Sequence, residues 1–174
     1  MCKRVAFVLL FGLFLLGVGN APAAAQPPTS SEIYDLNVGV AYDLVLNEWN
    51  EASNVGLHFD VAKRFIEGNN MSVAGVGEIG FNHFENFTLS NYLGGVRFSG
   101  NYSRRFSPFA QFLLGAEHCC DTTDFAIQPG VGIDFPWSTR FAIRGQVDWR
   151  HVYTDLDDAD GLRIGVGVVI PLNR

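Results

Sequence analysis

The chain has 174 residues, enough for one domain, with 12 basic and 18 acidic side chains and a formal net charge of −6. This balance excludes nucleic acid as an expected partner, because phosphate binding needs a basic patch and the chain has none. After residue 25, no segment stays apolar over the roughly 20 residues that a membrane helix needs.

The N-terminus has the pattern of an export signal. Lys3 and Arg4 precede an apolar run over residues 5–18, and three alanines at residues 23–25 form a small-residue cleavage site. Cys2 lies before the apolar run and not after it, so no lipid anchor is expected. We therefore predict a signal peptide over residues 1–25, a polar lead-in over 26–32 and one exported domain over 33–174.

Eight strand-like segments follow, separated by short polar breaks and without helical periodicity. Each holds about the number of residues that a tilted membrane strand requires. They are predicted at residues 33–46, 54–65, 71–82, 88–100, 108–117, 125–135, 141–153 and 161–171.

Apolar and polar residues alternate along these segments, and the polar set includes full charges. In the seventh, Ile143 and Val147 alternate with Arg144, Gln146 and Asp148. A soluble sheet turns its charges to water, whereas a barrel in lipid hides them in its lumen. Because an Arg or Lys on the lipid face costs ~2–4 kcal/mol at the bilayer midplane, the charged set is predicted to face inward.

The pattern therefore predicts an all-β fold, an eight-stranded antiparallel up-and-down transmembrane β-barrel with a polar interior. Such a barrel has a lumen just wide enough to be filled by side chains, and unpaired charges in it are costly. We expect a luminal network in which opposite charges pair; a narrow ion path gated by the same pairs is the alternative. The predicted network is Asp60, Glu78, Arg97, Gln111, Gln128, Asp134, Arg144, Gln146, Asp148 and Arg163, with Glu117 and Arg150 also facing inward.

Two segments depart from simple alternation. The third turns Gly75 and Gly77 outward and leaves Val76 inside in the frame that also places Glu78 in the lumen. The sixth contains Pro129, which cannot donate a hydrogen bond to a neighbouring strand. We expect a β-bulge at Pro129 and Gly130.

The breaks sort by charge. The four near residues 47–53, 83–87, 118–124 and 154–160 are acidic and contain no Lys or Arg, whereas the opposite turns are mainly basic. The stretch Asp155-Leu156-Asp157-Asp158-Ala159-Asp160-Gly161 does not fit the EF-hand template, because Ala159 takes a ligand position. A solvated loop is the main interpretation, weak divalent binding beside lipopolysaccharide is the alternative, and no metal or cofactor is predicted.

Other groups with reactive chemistry are few. Cys119 and Cys120 are adjacent, which permits a strained vicinal disulfide, free thiols or pairing with another chain, and lacks the spacing of a zinc site. No His is followed two positions later by Ser, the arrangement that lipid A deacylases place on a lipid-facing strand. We therefore predict no enzyme activity and assign His151, Trp149 and Tyr153 to the interfacial aromatic belt.

Four stretches carry a family resemblance: Val76-Gly77-Glu78-Ile79-Gly80, Gly94-Gly95-Val96-Arg97, Pro108-Phe109-Ala110-Gln111 and Gln128-Pro129-Gly130-Val131-Gly132-Ile133-Asp134. In this order and spacing they resemble the small outer-membrane β-barrel proteins with an OmpA-like, porin-related fold. Members usually finish on an aromatic residue, whereas this chain finishes on Arg174.

The resemblance implies the cell outer membrane of a bacterium with two membranes, reached through the periplasm. The expected partners are outer-membrane lipid, lipopolysaccharide and, during insertion, the barrel-assembly machinery, with the barrel a monomer. The leading functional hypothesis is a structural or surface-interaction role. The alternatives are a small-solute channel and a secreted soluble barrel that binds an apolar ligand, as lipocalins do.

Overall fold

The computed structural model describes residues 34–46, 51–68, 70–83, 88–100, 106–119, 122–138, 140–154 and 158–172. Within them, eight antiparallel strands form one closed barrel in which chain neighbours pair and the first strand pairs with the last. The strands are β1 Tyr34–Leu46, β2 Glu51–Glu67, β3 Met71–His83, β4 Thr88–Gly100, β5 Ser107–Cys119, β6 Thr122–Pro136, β7 Ala142–Tyr153 and β8 Ala159–Pro171. The predicted signal peptide and lead-in lie outside the described residues. No helix in the described part of the chain is long and apolar enough to cross a membrane.

The eight predicted strands are confirmed; β5 begins one residue and β8 two residues earlier than expected, and two others begin three residues earlier. β2 begins at Glu51 and β6 at Thr122. Pairing of Glu51 with Leu46 and of Thr122 with Cys119 carries each hairpin beyond the alternating part of its sequence. Backbone hydrogen bonds extend these strands at one end of the barrel, where the side chains no longer alternate between apolar and polar.

The strands are strongly staggered around the barrel. Starting at Asn37 and passing from partner to partner through β2 to β8, the pairs reach Ala159, ten residues from Val169, which pairs with Asn37 directly. This stagger tilts the strands and fixes the diameter of an eight-stranded barrel, whose interior side chains fill.

The predicted orientation of the strands is confirmed. On β1, Asn37 is buried whereas Val38 is exposed; on β3, Val76 faces inward and Ile79 outward. The interior is not uniformly polar, however. A stripe of buried apolar side chains runs across six strands and needs no polar partners: Ala62, Ala74, Val76, Leu93, Leu113, Ala126 and Val152.

The predicted bulge at Pro129 is wrong. On the β7 side, pairing passes from Ile127–His151 to Gly130–Asp148 without a change of register, so an interruption of the ladder accommodates the proline. The register shifts instead between β2 and β3, where Phe65 is an extra residue between Arg64 and Ile66.

Candidate functional site

The barrel interior holds the polar side chains that the sequence predicts there. Nine of the ten have 3% or less of their surface exposed: Asp60, Glu78, Arg97, Gln111, Gln128, Arg144, Gln146, Asp148 and Arg163. The tenth, Asp134, lies near the β6–β7 turn and keeps 20% of its side chain exposed. Seven strands thus contribute to one enclosed network.

Arg163 on β8 forms the centre of a first cluster. Its Nη1 and Nη2 donate to Glu78 Oε1 and Oε2 at 2.6 and 2.8 Å, and its Nε donates to Asp148 Oδ2 at 3.0 Å. Bidentate, charge-assisted bonds of this kind belong to the strongest in proteins. Both carboxylate side chains are 0% exposed, so water does not solvate their negative charges. The positive charge of Arg163 compensates them instead.

Asp60 on β2 forms the centre of a second cluster. Arg97 Nη1 donates to its Oδ1 at 3.1 Å, Arg144 Nη1 lies 3.4 Å from the same oxygen, and Asn37 Nδ2 donates to Oδ2 at 2.7 Å. Arg144 also donates to both oxygens of Asp134, at 2.7 and 2.9 Å. One guanidinium therefore links carboxylates on β2 and β6, across the barrel.

Glutamines join the two clusters. Gln111 Oε1 accepts from Arg97 Nε and Nη2 at 3.0 and 2.7 Å, while Gln111 Nε2 donates to Asp148 Oδ1 at 2.9 Å. Gln146 Nε2 donates to the other oxygen of Asp148 at 3.0 Å. An amide both accepts and donates, so it connects an arginine to a carboxylate without adding charge.

The network continues toward the β7–β8 loop. Arg150 Nε donates to Gln128 Oε1 at 2.8 Å and its Nη1 to Glu117 Oε2 at 2.9 Å. Gln128 Nε2 in turn donates to Glu78 Oε1 at 3.2 Å, which connects this group to the Arg163 cluster.

Charges in the lumen are paired throughout the part that the structure describes. Each member of the network's four guanidiniums and five carboxylates takes part in at least one ion pair: Arg97, Arg144, Arg150, Arg163, Asp60, Glu78, Glu117, Asp134 and Asp148. Removing one partner of such a buried pair costs about 3–5 kcal/mol, because the other charge is left uncompensated. This arrangement braces the wall from inside and fills the lumen.

Phe109 is a luminal residue that the predicted network lacks. Two guanidiniums lie against its ring, with the central carbons of Arg97 and Arg144 4.9 and 4.6 Å from the ring centroid. Aromatic faces attract cations, so the ring contributes to holding two like charges that both approach Asp60. The sequence could have indicated this position, because Phe109 lies two residues before Gln111 on β5 and therefore points to the same side of the strand.

Inward glycines make room for these large side chains. Each of five lies directly opposite a bulky partner on the next strand, and a Cβ on the glycine would overlap that partner. The pairs are Gly39–His58, Gly56–Asn82, Gly80–Asn91, Gly130–Asp148 and Gly132–Phe109. The inward glycines therefore leave the space that large side chains of the neighbouring strands occupy in the lumen.

The outer wall has the opposite chemistry. Large apolar side chains are exposed on all eight strands, among them Val40, Leu57, Ile79, Phe98, Phe112, Phe125, Val147 and Val166. Such a continuous apolar surface is far larger than soluble monomers tolerate. It is the surface that a bilayer covers in a transmembrane barrel.

His151 lies in an aromatic group on this outer wall. Its ring is stacked on Trp149 with centroids 5.5 Å apart, and Tyr153 packs edge-on at 4.5 Å. His151 Nδ1 lies 2.7 Å from Asp160 Oδ1. The three residues that the sequence assigned to an interfacial belt therefore pack together near the β7–β8 loop.

One serine lies beside a histidine of the neighbouring strand, a proximity that the spacing of residues within one strand does not reveal. Ser90 on β4 is the direct cross-strand partner of His118 on β5. His118 Nδ1 lies 3.0 Å from Thr123 Oγ1, which engages one nitrogen of the ring. Among the described contacts no hydrogen bond joins Ser90 to His118.

Two candidate reactive groups fall partly outside the described residues. Cys120 of the cysteine pair and residues 155–157 of the acidic stretch are not among them. Within the described residues, no group of three or more His, Cys, Asp or Glu side chains is placed to hold a metal ion.

Comparison with known proteins identifies the fold. No family model and no curated protein matches the chain. Neisserial surface protein A has a similar structure, with a TM-score of 0.66 at 9% identity over 80% of this chain and 97% of that one. Ail, the attachment invasion locus protein of Yersinia pestis, gives 0.54 at 15% identity over 79% and 97% of the two chains. The outer-membrane enzyme PagL gives 0.55 at 12% over 78% and 99%. The chain thus shares the fold of small eight-stranded outer-membrane barrels.

Proposed function

From the fold of the small outer-membrane barrels, we propose that this chain is an integral protein of the bacterial outer membrane with a structural or surface-interaction role. The observation that carries the proposal is the pairing of an apolar outer wall with a charged, self-paired interior. A secreted lipocalin-like barrel needs an apolar cavity, and the network occupies that space here. Export by residues 1–25 and insertion by the barrel-assembly machinery belong to the same proposal.

The surface role is assigned to the end of the barrel that carries the β1–β2, β3–β4, β5–β6 and β7–β8 connections. With the N-terminus of β1 on the periplasmic side, this end faces outward. Its described rim carries Asp124, Asp158 and Asp160 beside His118 and His151. An acidic rim repels the phosphates of lipopolysaccharide, so contact with that lipid runs through the apolar belt or through bridging divalent cations.

The experiment for location is membrane fractionation combined with gel electrophoresis of boiled and unboiled samples. We expect the protein in the outer-membrane fraction as a heat-modifiable monomer, since a folded barrel migrates differently until it is boiled. Recovery in the soluble periplasm without detergent would overturn the proposal.

A closed lumen is part of this proposal, and its competitor is a narrow channel. The buried ion pairs support closure because an ion would have to break them to pass. We expect planar bilayers that contain the wild-type protein to show no conductance. Arg144→Ala removes the guanidinium that links Asp60 to Asp134, so this variant is expected to conduct ions if any does. Resolved single-channel steps in the wild type would favour the channel.

We also propose that the barrel is not an enzyme. A nucleophilic serine needs a base within hydrogen-bond reach, and no hydrogen bond joins Ser90 to His118 in the described structure. Incubation with lipid A and phospholipid substrates is expected to release no fatty acid. Release that disappears in Ser90→Ala would identify this pair as a catalytic site.

A further inference from the structure

One cation lies on the apolar outer wall. On β2, Val61 is 45% exposed, Ala62 is buried and Lys63 is exposed again, so Lys63 points outward with Val61. Among the strands that the structure describes, Lys63 is the one Lys or Arg whose side chain lies on this wall. A Lys on the lipid face is costly at the bilayer midplane and tolerated near the interfaces, so its depth decides what it can contact.

The neighbours of Lys63 place it at the edge of the apolar band. It pairs with Tyr34, the residue at which β1 begins. The next residue, Arg64, forms an ion pair with Asp35 in which the side chains are 24% and 18% exposed, so water reaches this level of the barrel. This end is periplasmic in the proposed orientation. A lysine at such a depth extends its ammonium group toward the phosphates of the lipid headgroups.

The outer wall beside Lys63 has a hollow. Gly75 on β3 is the direct partner of Lys63, and Gly77 is the direct partner of Gly94 on β4. A Cβ at Gly77 would meet nothing within 4 Å, and one at Gly94 would meet only the Val76 carbonyl oxygen, at 3.7 Å. The wall is therefore bare backbone across two neighbouring strands. We call Gly75, Gly77 and Gly94 the glycine hollow.

Larger side chains border the glycine hollow. Val61 on β2 and Leu114 on β5 flank it, each the direct partner of one of its glycines, and the spacing of strands puts these two ridges about 14 Å apart. Ile79 and Tyr92, a cross-strand pair that is 41% and 51% exposed, close the hollow on the side away from Lys63. The ring of Phe65 lies beside Gly75, where a Cβ would be 3.5 Å from its Cε1. The hollow is thus an apolar groove that ends next to a positive charge.

We propose that Lys63 and the glycine hollow bind one anionic phospholipid of the periplasmic leaflet. The Lys63 ammonium group pairs with the phosphate, and one acyl chain lies in the hollow, where glycine lets it approach the backbone closely. Charge complementarity selects this occupant, because the groove is apolar and its one adjacent charge is positive. The inference rests on the proposed membrane location and orientation.

The test is native mass spectrometry of the folded full chain in detergent micelles. Phosphatidylglycerol or phosphatidylcholine with the same acyl chains is added. We expect the wild type to retain one phosphatidylglycerol with an affinity about fivefold higher than that for phosphatidylcholine, the preference that one lysine near a lipid surface provides. Lys63→Gln should lose this preference. Gly77→Leu fills the hollow and should weaken the binding of both lipids.

Two variants are matched controls. Arg140→Gln removes a cation from the β6–β7 turn at the same end of the barrel, and Gly145→Leu fills another position of the outer wall where a Cβ meets nothing within 4 Å. Both should bind as the wild type does. If Gly77→Leu does not fold, the comparison of Lys63→Gln with Arg140→Gln decides.

Three results would overturn the lipid site: equal affinity of the wild type for the two phospholipids, an unchanged preference in Lys63→Gln, or the same loss in Arg140→Gln. Stronger retention of lipid A than of phosphatidylglycerol would also overturn it, because lipid A occupies the opposite leaflet. Gel electrophoresis of boiled and unboiled samples separates this failure from failure of the proposed function. A heat-modifiable barrel without the preference refutes the lipid site alone, whereas a protein that is soluble without detergent refutes both.

Discussion

Replacement of Arg163 by methionine tests whether the luminal charges are shielded from water and depend on one another for compensation. The change removes the bonds at 2.6 and 2.8 Å to Glu78 and the bond at 3.0 Å to Asp148. Glu78 then keeps only amide donors, at 3.2 and 3.5 Å, and Asp148 keeps two more at 2.9 and 3.0 Å. Two carboxylates remain buried without a directly bonded cation, so we expect a loss of about 3–5 kcal/mol in the free energy of unfolding.

Arg64→Met is the control. Arg64 pairs with Asp35 at 3.0 Å, but the two side chains are 24% and 18% exposed. Water and salt screen such a pair, so its loss is expected to cost no more than about 1 kcal/mol. Equilibrium unfolding by urea in detergent micelles, followed by tryptophan fluorescence, measures both variants against the wild type.

A second substitution separates charge from packing. Glu78→Gln should destabilise the wild type, since it breaks the bidentate pair with Arg163. In the Arg163→Met background the same change should stabilise, because it removes an uncompensated negative charge. The reasoning is refuted if Arg163→Met costs as little as Arg64→Met, or if Glu78→Gln has the same effect in both backgrounds.

Three further substitutions probe the wall and its filling. Phe109→Leu should cost about 1–3 kcal/mol in urea unfolding, because it leaves a cavity and removes the aromatic face that lies 4.6 and 4.9 Å from two guanidiniums; an unchanged midpoint would argue against that role. Val147→Arg, on the outer face of β7, should cost about 2–4 kcal/mol when unfolding is measured from lipid vesicles, with Val147→Leu as the neutral control. Equal stability of the two Val147 variants would show that this face does not contact lipid. Gly132→Ala should be destabilising because its Cβ would lie 2.6 Å from the Gly145 carbonyl oxygen as well as overlapping Phe109, whereas Gly145→Ala, with open space, should be close to wild type.

Several of these variants rest on features that the alternating pattern does not contain. The pattern assigns each residue to one of two faces, and it therefore placed Asp60 and Arg163 in the lumen with their neighbours. It carries no information on which inward residue meets which. Glu78 and Arg163 are 85 residues apart in the chain and 2.6 Å apart at their closest atoms. That distance depends on the stagger of the whole barrel.

The glycines and the proline illustrate the same limit. The sequence marked Pro129 as a place where pairing is disturbed, but the bulge lies at Phe65, beside the uncrowded outer face of Gly75. In the sequence, Gly132 is one of several glycines in a predicted strand, and nothing there indicates that a large side chain lies opposite it. The register shows that its partner is Phe109. Cross-strand complementarity of this kind becomes visible only when the register is known.

The sequence by itself determined the number of strands, their approximate bounds and the face on which each side chain lies. It could do so because side-chain direction alternates with period two along any strand and because a charge on an apolar wall is costly. Only the tertiary structure decided the pairing of the luminal charges, the contact of Phe109 with two arginines and the placement of inward glycines opposite bulky side chains. These depend on the stagger and diameter of the closed barrel, which bring together residues from strands that are distant in sequence.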